Sequence, residues 1–501
     1  MSDSIPQEKL AYRQVFMSTS IFGGVQVFNI LVGLLRAKIA AVLLGASGYG
    51  LINLYNVPLG FIGQITGLGI GFSAIRDISA ANKSGDWKKL SATVKTFRRW
   101  VWLTGAFGMI TVIILSPWLS KWSLGNTDYT YAFLLLSVIL LISAISGGQS
   151  AILRGTRRIK ETAKAGVWGG ALGLVTSIPL YYFYGIKGII PALIVSALTG
   201  LTLSWYYARK VKIEPIDISY KESFQQGKVM IKLGVILTLA NIIGQGVSYL
   251  LIIFIRETGS VAEVGLYNAG WAITNQYTGM VFAAMAVDYY PRLAEVNTDN
   301  IKIKQIVNHQ AEIAMLIITP IMLFYLTSLP ILIPILLTDE FLSIIPFAQW
   351  IVVGMLFKTV SWAMGYISFA KGDSKLFFLL EGVLGNGLQI VAFMTGYYYF
   401  GLEGIGIGFL TLYVIYFILI TMICRKRYQV SFSKQFGKLF AMQLLFCLIA
   451  FLIVYFFKYP TGYISGGLLL IISVVYSYKE LNKRIGIREF IQSKLKRNGN
   501  E

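Results

Sequence analysis

Histidine and cysteine are nearly absent: the 501 residues contain one histidine, His309, and two cysteines, Cys424 and Cys447. Both cysteines fall within or at the end of apolar segments without metal-ligand spacing, so neither a disulfide framework nor a cysteine metal centre is expected. His309 lies near the end of an apolar segment and supports no buried proton relay. Acidic residues are also few, 23 against 44 Lys and Arg. No two carboxylates pair at the middle of a segment: Asp288, Glu312, Glu381 and Glu403 are scattered or lie near ends. General acid–base catalysis by a carboxylate pair therefore has no candidates. A nucleotide-binding P-loop is missing too, which argues against direct ATP drive. Catalytic residues, metal and cofactor are all expected to be none.

What the chain has in excess is apolar length. Hydrophobic residues make up 56%, charged residues 13%, and the mean hydropathy is +0.66. The pattern predicts an all-α polytopic membrane protein with 14 spans, approximately 15–44, 49–75, 97–118, 129–153, 163–184, 187–208, 229–256, 262–290, 311–337, 343–370, 375–399, 402–424, 436–457 and 461–478. The polar start, MSDSIPQEKLAYRQ, leads into a segment too long for a signal peptide and should stay on the cytoplasmic side. With that orientation the outer loops and outer span ends hold Lys121, Lys187, Arg256 and Lys458, and, beyond cations at the very ends of spans, the spans hold Arg36, Lys38 and Lys358. Every other Lys and Arg falls on the inner side, which is the positive-inside bias and places both termini in the cytoplasm. The net charge of +21 is thus explained by topology and by attraction to anionic membrane lipid, and nucleic acid is not needed as a partner. In the first inner loop Trp87, Leu90, Val94 and Phe97 recur at helical spacing, which reads as an amphipathic helix lying on the membrane surface.

Three cations inside spans require a reason, because a charge in hydrocarbon costs on the order of 2.5 to 3.5 kcal/mol and usually faces a water-filled cavity. Arg36 and Lys38 are two residues apart, about 200° around a helix, so they do not both point squarely into one cavity. Each either lines a cationic cavity or snorkels to the outer interface. Lys358 is roughly 18 to 22 Å from either end of its environment, beyond snorkelling reach. It must face water or find a partner, for which Glu381 is the nearest candidate by sequence. The three together form the candidate substrate-binding set.

Polar and glycine positions recur at an offset near 216. Gly50-Leu51 returns as Gly265-Leu266, Arg76 as Arg292, Arg154-Gly155 as Lys371-Gly372, Tyr184 to Ile189 as Phe400 to Ile405, and Arg209-Lys210 as Arg425-Lys426. A repeat of this kind gives an N-terminal lobe over 1–208 (spans one to six), a cytoplasmic linker over 209–228 and a C-terminal lobe over 229–424 (spans seven to twelve). Two extra helices over 425–478 and a basic cytoplasmic tail over 479–501 follow. Six spans per lobe return the chain to the same side, so the repeats are parallel, a transporter architecture that works by alternating access. Arg76, Arg292, Arg154 and Lys371 at the inner face serve either as an inner gate or headgroup-capture set, or as topology-setting cations.

The segment LLRAKIAAVLLGASGYGL, the repeated glycine turn, GIGFSAIRDISA with its counterpart VDYYPRLAEV, and the RGTRR and AKGDSK loops resemble the polysaccharide or O-antigen flippases of the multidrug/oligosaccharidyl-lipid/polysaccharide exporter superfamily. The resemblance covers nearly the whole chain through short, degenerate motifs. It implies a pair of six-helix bundles in a bacterial inner membrane that moves a polyprenyl-diphosphate-linked oligosaccharide between leaflets, with glycan polymerase or other assembly proteins as partners. Lys38 falls where relatives also carry lysine; Arg36 has no such match. A diphosphate headgroup would find charge-assisted hydrogen bonds in a Lys/Arg cavity. Energy is then expected from an H+ or Na+ gradient or the membrane potential. Two other functions compete: a cation-coupled drug exporter, which would favour acidic cavity residues, and a membrane-embedded polymerase or ligase, which needs a larger outer loop than any here.

Overall fold

The computed structural model describes residues 7–457 and 460–485, with side chains from residue 28 onward except at 236, 237, 276, 277, 284, 287 and 485. The expected cytoplasmic N-terminus, Lys458 and the tail beyond 485 lie outside the described residues, in whole or in part. Among the described residues all regular structure is helical. Ten runs are long and apolar enough to cross a membrane, and the chain is a multi-pass membrane protein. Two compact units part between Gly265 and Leu266.

The first unit is built from α1 (Gln7–Thr66), α2 (Ile70–Lys83), α3 (Trp87–Leu124), α4 (Thr130–Leu136) continued by α5 (Val138–Gly155), α6 (Ile159–Tyr184), α7 (Ile189–Ala208) and α8 (Tyr220–Thr258). The α1 run is two rods, because Gly45 adopts φ 66, ψ −172, a conformation that side chains disfavour and glycine accepts. The turn between spans one and two is therefore a single-residue kink. The second rod breaks again at Leu68 and Gly69, both left-handed. Here Gly69 and Gly234 of α8 approach backbone to backbone: a Cβ at Gly69 would lie 2.2 Å from the Gly234 oxygen. This contact helps seat α8 against α1, α2 and α3, so packing groups it with the first unit although the sequence repeat begins with it. Its start is fixed by a reciprocal cap between Ser219 and Glu222.

The expectation of a membrane-surface helix over Trp87, Leu90, Val94 and Phe97 is overturned. These residues are the first turns of α3, and Val94 and Phe97 are buried against Ile70, Ala74 and Ile78 of α2 and against Ala151 and Ile152 of α5. The stripe has a protein partner, and that burial competes successfully with the membrane interface. On its other side this stem holds the linker: Lys95 donates to the Ile216 carbonyl, and Arg99 Nη1 to Ile218 O (3.1 Å) and Ser223 Oγ (2.6 Å).

The second unit takes up most of α9 (Val261–Glu295), then α10 (Asn300–Leu336), α11 (Ile345–Ala370), α12 (Ser374–Phe377), a π-helical stretch (Phe378–Leu384), α13 (Gly385–Tyr428), α14 (Lys434–Phe456) and α15 (Thr461–Ile485). A kink at Gly401 (φ 59) divides α13 into two rods. Counting rods across both units gives the 14 expected. The repeat is visible in local geometry. Gly185 (φ 54) and Gly401 stand 216 residues apart at the same turn. Asp86 caps α3 through the amides of Lys88 and Lys89, and Asp299 caps α10 through those of Ile301 and Lys302.

One register needs correction. The loop hydrogen bonds Arg158 N to Leu153 O and Ile159 N to Arg157 O are matched by Asp373 N to Ser368 O and Ser374 N to Gly372 O, an offset of 215. Left-handed Arg157 (φ 57) thus equates with left-handed Gly372 (φ 72), and Arg154 is not the counterpart of Lys371. Pairing by the visible Arg/Lys-Gly dipeptides shifts the loop by two residues.

The final two helices are anchored to α10 and to each other. Asn308 accepts from Ser433 N (2.7 Å) and donates to Ser431 O (3.3 Å), Gln443 donates to Ser477, and Arg484 Nε donates to Glu312 Oε2 at 2.7 Å. Helix α15 runs on to Ile485, so the first residues of the expected tail are helical.

Candidate functional site

Arg36 sits on α1 nine residues before the Gly45 kink and lines a cavity of about 150 Å³ within the first unit. Tyr49, Asn53 and Asn56 from the second rod of α1, Ser177 and Tyr181 from α6, and Ser196 from α7 complete its polar wall. Gly173 admits the guanidinium, since a Cβ there would lie 3.1 Å from Nη2. No carboxylate lines this space, and among the described residues Arg36 forms no ion pair. An uncompensated guanidinium among hydroxyls and amides can bind an anion bidentately. Lys38, half-buried on the same helix, is not among the lining residues, in keeping with the 200° separation.

Lys358 lies in the second unit, half-buried on α11. Its Nζ donates to Asn275 Oδ1 (3.3 Å) and sits 5.6 and 5.5 Å from the rings of Phe409 and Tyr413. Glu381, the partner suggested by sequence, forms no ion pair with it and instead accepts from Tyr416 at 2.7 Å. The structure thus gives Lys358 an amide and aromatic faces as its near neighbours, with the Glu381 carboxylate beyond direct pairing distance. Arg36 and Lys358 belong to different units and are described separately.

The set expected at the inner face is dispersed. Arg76 on α2 is exposed and paired with adjacent Asp77 (2.8 Å). Arg154 is exposed at the end of α5. Arg292 pairs with Asp288 (3.1 Å) and lines a cavity of about 660 Å³ with Lys304, His309, Glu312 and Arg484. Lys371 donates to Asn297 O (2.7 Å) and lines another, of about 540 Å³, with Asp373, Arg427 and Tyr428. Burial raises the Asp373 carboxyl, but hydrogen bonds from Tyr428 and Arg427 outweigh it and hold the group below the usual range.

Sequence reasoning missed Tyr49, Ser177, Tyr181 and Ser196 around Arg36, and Tyr413 and Tyr416 below Lys358. The last two carried a readable signal, an aromatic pair three residues apart in one span. The others meet only through tertiary packing. No group of three or more His, Cys, Asp or Glu suited to a metal occurs among the described residues.

A family model described as polysaccharide biosynthesis protein matches residues 39–346, more than half of the chain. The chain belongs to this family. No curated protein matches it in sequence. Among solved structures, an inward-facing multidrug resistance MATE family transporter of the MOP superfamily is similar at TM-score 0.68 and 16% identity, covering 82% of this chain and 96% of that one. The lipid II flippase MurJ in an inward closed conformation gives 0.67 at 12% identity, covering 94% and 99%. A MOP superfamily transporter from Pyrococcus furiosus gives 0.54 at 16% identity, covering 82% and 94%. These likenesses give the chain the fold that MATE transporters and MurJ share.

Proposed function

We propose that the protein is a flippase that carries a polyprenyl-diphosphate-linked oligosaccharide from the inner to the outer leaflet of a bacterial inner membrane by alternating access, for assembly of a cell-surface polysaccharide such as O-antigen. The observation that carries this reading is Arg36: a guanidinium on an apolar helix, lining a cavity whose wall contains hydroxyls and amides and no acid. A diphosphate is the ligand that such a group favours, and the surrounding hydroxyls and amides suit sugars. The family's link to polysaccharide biosynthesis and the lipid II flippase among the fold neighbours support the same substrate class. Lys358 supplies a second cation, and Lys38 a third on the Arg36 helix. Arg76, Arg292, Arg154 and Lys371 act at the inner face, either in headgroup capture or in setting topology. The step draws on an H+ or Na+ gradient or on the membrane potential, worth about 2.3 kcal/mol per charge per 100 mV. Both termini are cytoplasmic, and glycan polymerase or other assembly proteins receive the product.

A cation-coupled drug exporter of the same fold would place carboxylates in its cavity, and the Arg36 cavity has none. Purified protein in liposomes with a fluorescent polyprenyl-diphosphate sugar decides between them. Protein-dependent change in leaflet accessibility of the sugar lipid supports the flippase; its absence, with efflux of a lipophilic cation instead, refutes it.

A further inference from the structure

Lys358 and Gly365 are seven residues apart on α11, two turns and about 10 Å along one face. The Glu381 side chain fills the space that Gly365 leaves: a Cβ there would lie 2.9 Å from Oε1. That oxygen accepts from Tyr416 OH at 2.7 Å, while Oε2 accepts no hydrogen bond among the described residues. Tyr416 and Tyr413 are three residues apart on α13, so the ring beside Lys358 and the hydroxyl on Glu381 share one side of that helix. The result is a ladder inside the second unit running from Asn275 and Lys358 past Tyr413 to Tyr416 and Glu381. Glu381 also belongs to the π-helical stretch Phe378–Leu384, a rare geometry that recurs at functional sites. The side chain of Asn386 holds this wide turn by donating to the carbonyls of Glu381 (3.1 Å) and Gly382 (2.9 Å).

We propose that Glu381 is a proton-binding site that couples the transport step to protonation, an inference that rests on the reading of this chain as a transporter. Lys358 and Tyr366 face the carboxyl from α11, and Tyr413 and Tyr416 from α13. Oε2 is the oxygen left to take a proton, since no group among the described residues donates to it. Ionised, the carboxylate draws Lys358 along the ladder. Protonated, it loses that pull, and Lys358 stays with Asn275 and the rings, available to an anion.

Infrared difference spectra of the whole protein in liposomes, recorded between neutral and acidic pH, test the site without any substrate. The E381Q variant keeps the shape and an acceptor for Tyr416, so its fold is preserved. A protonated-carboxyl band that appears in the parent and is lost in E381Q supports the proposal. A band that persists in E381Q, or is missing from the parent, overturns it. In the sugar-lipid assay an imposed proton gradient should change the parent rate and leave E381Q insensitive. A rate that follows sodium and ignores protons also overturns it. If the band behaves as expected while no sugar lipid moves, the substrate reading falls and the proton site stands.

Discussion

Gly50 and Gly265 occupy equivalent places in the sequence repeat and pack directly on each other. A Cβ on Gly50 would lie 2.0 Å from the Val261 oxygen, and a Cβ on Gly265 would lie 2.0 Å from the Ala46 oxygen. Ala46 and Val261 are themselves separated by the repeat offset, so the contact is reciprocal: each glycine receives the backbone one turn before the other. Small residues permit this approach in lipid, where close backbone packing replaces the hydrophobic drive.

Replacing either glycine by valine should push the two helix starts apart and destabilise the fold by about 1 to 3 kcal/mol, the usual range for overpacking. The double variant should lose less than the sum of the singles, because one side chain already opens the shared contact. Thermal unfolding in detergent measures both. Additive losses would show that the glycines act independently.

Much of this fold could be read from the chain because its signals were local. Apolar runs gave the rods, and the glycine turn after Tyr184 gave the repeat that Gly185 and Gly401 display in their backbone. Pattern failed where two surfaces compete for one stripe: Val94 and Phe97 are equally suited to lipid interface and to protein, and only α2 and α5 decide. It failed again at the inner loop, where the left-handed position is Arg157 in one repeat and Gly372 in the other. Backbone conformation is shared there while residue type is not. The Arg36 cavity was half legible, since the cation stands out by its cost in hydrocarbon but its hydroxyl partners come from distant helices.

The anchor of the last helix is a buried ion pair. Arg484 and Glu312 side chains retain 17% and 7% of their surface. Removing the arginine in R484A leaves Glu312 without its cation, and the expected loss is about 3 to 5 kcal/mol. The double variant E312Q/R484Q should be closer to the parent, because no charge is left at position 312 and Glu480, the other partner of Arg484, keeps Lys483. Unfolding temperatures of the three proteins check the order, and equal damage in single and double variants would contradict it.

The Asp299 cap carries a pH signature. Hydrogen bonds from the amides of Lys302 and Ile301 hold its carboxyl below the ordinary aspartate range. A group depressed in the folded state adds stability above its unfolded value, near 3.9, and loses that contribution as pH falls through the folded value. D299A should therefore lower the unfolding temperature at neutral pH and do so less in acid. Asparagine caps about as well as aspartate, so D299N should match the parent near its acid limit and show a flatter pH dependence. A D299A effect independent of pH would remove the ionised cap from the explanation.

Arg36 and Lys38 are separated by the cavity wall, and their variants should separate too. Arg36 lines the space and Lys38 does not, so R36A should reduce sugar-lipid transport far more than K38A. Loss of a hydrogen bond to a charged group is worth about 1.5 to 3 kcal/mol, or roughly 10- to 150-fold in rate or affinity. R36K keeps the charge but gives up the planar fork, and should fall between R36A and the parent. Expression and unfolding temperature serve as controls, since Arg36 has no ion pair to lose among the described residues. Equal activity of R36A and the parent would take the diphosphate away from this cavity, and a larger defect in K38A would move it to the other side of the helix.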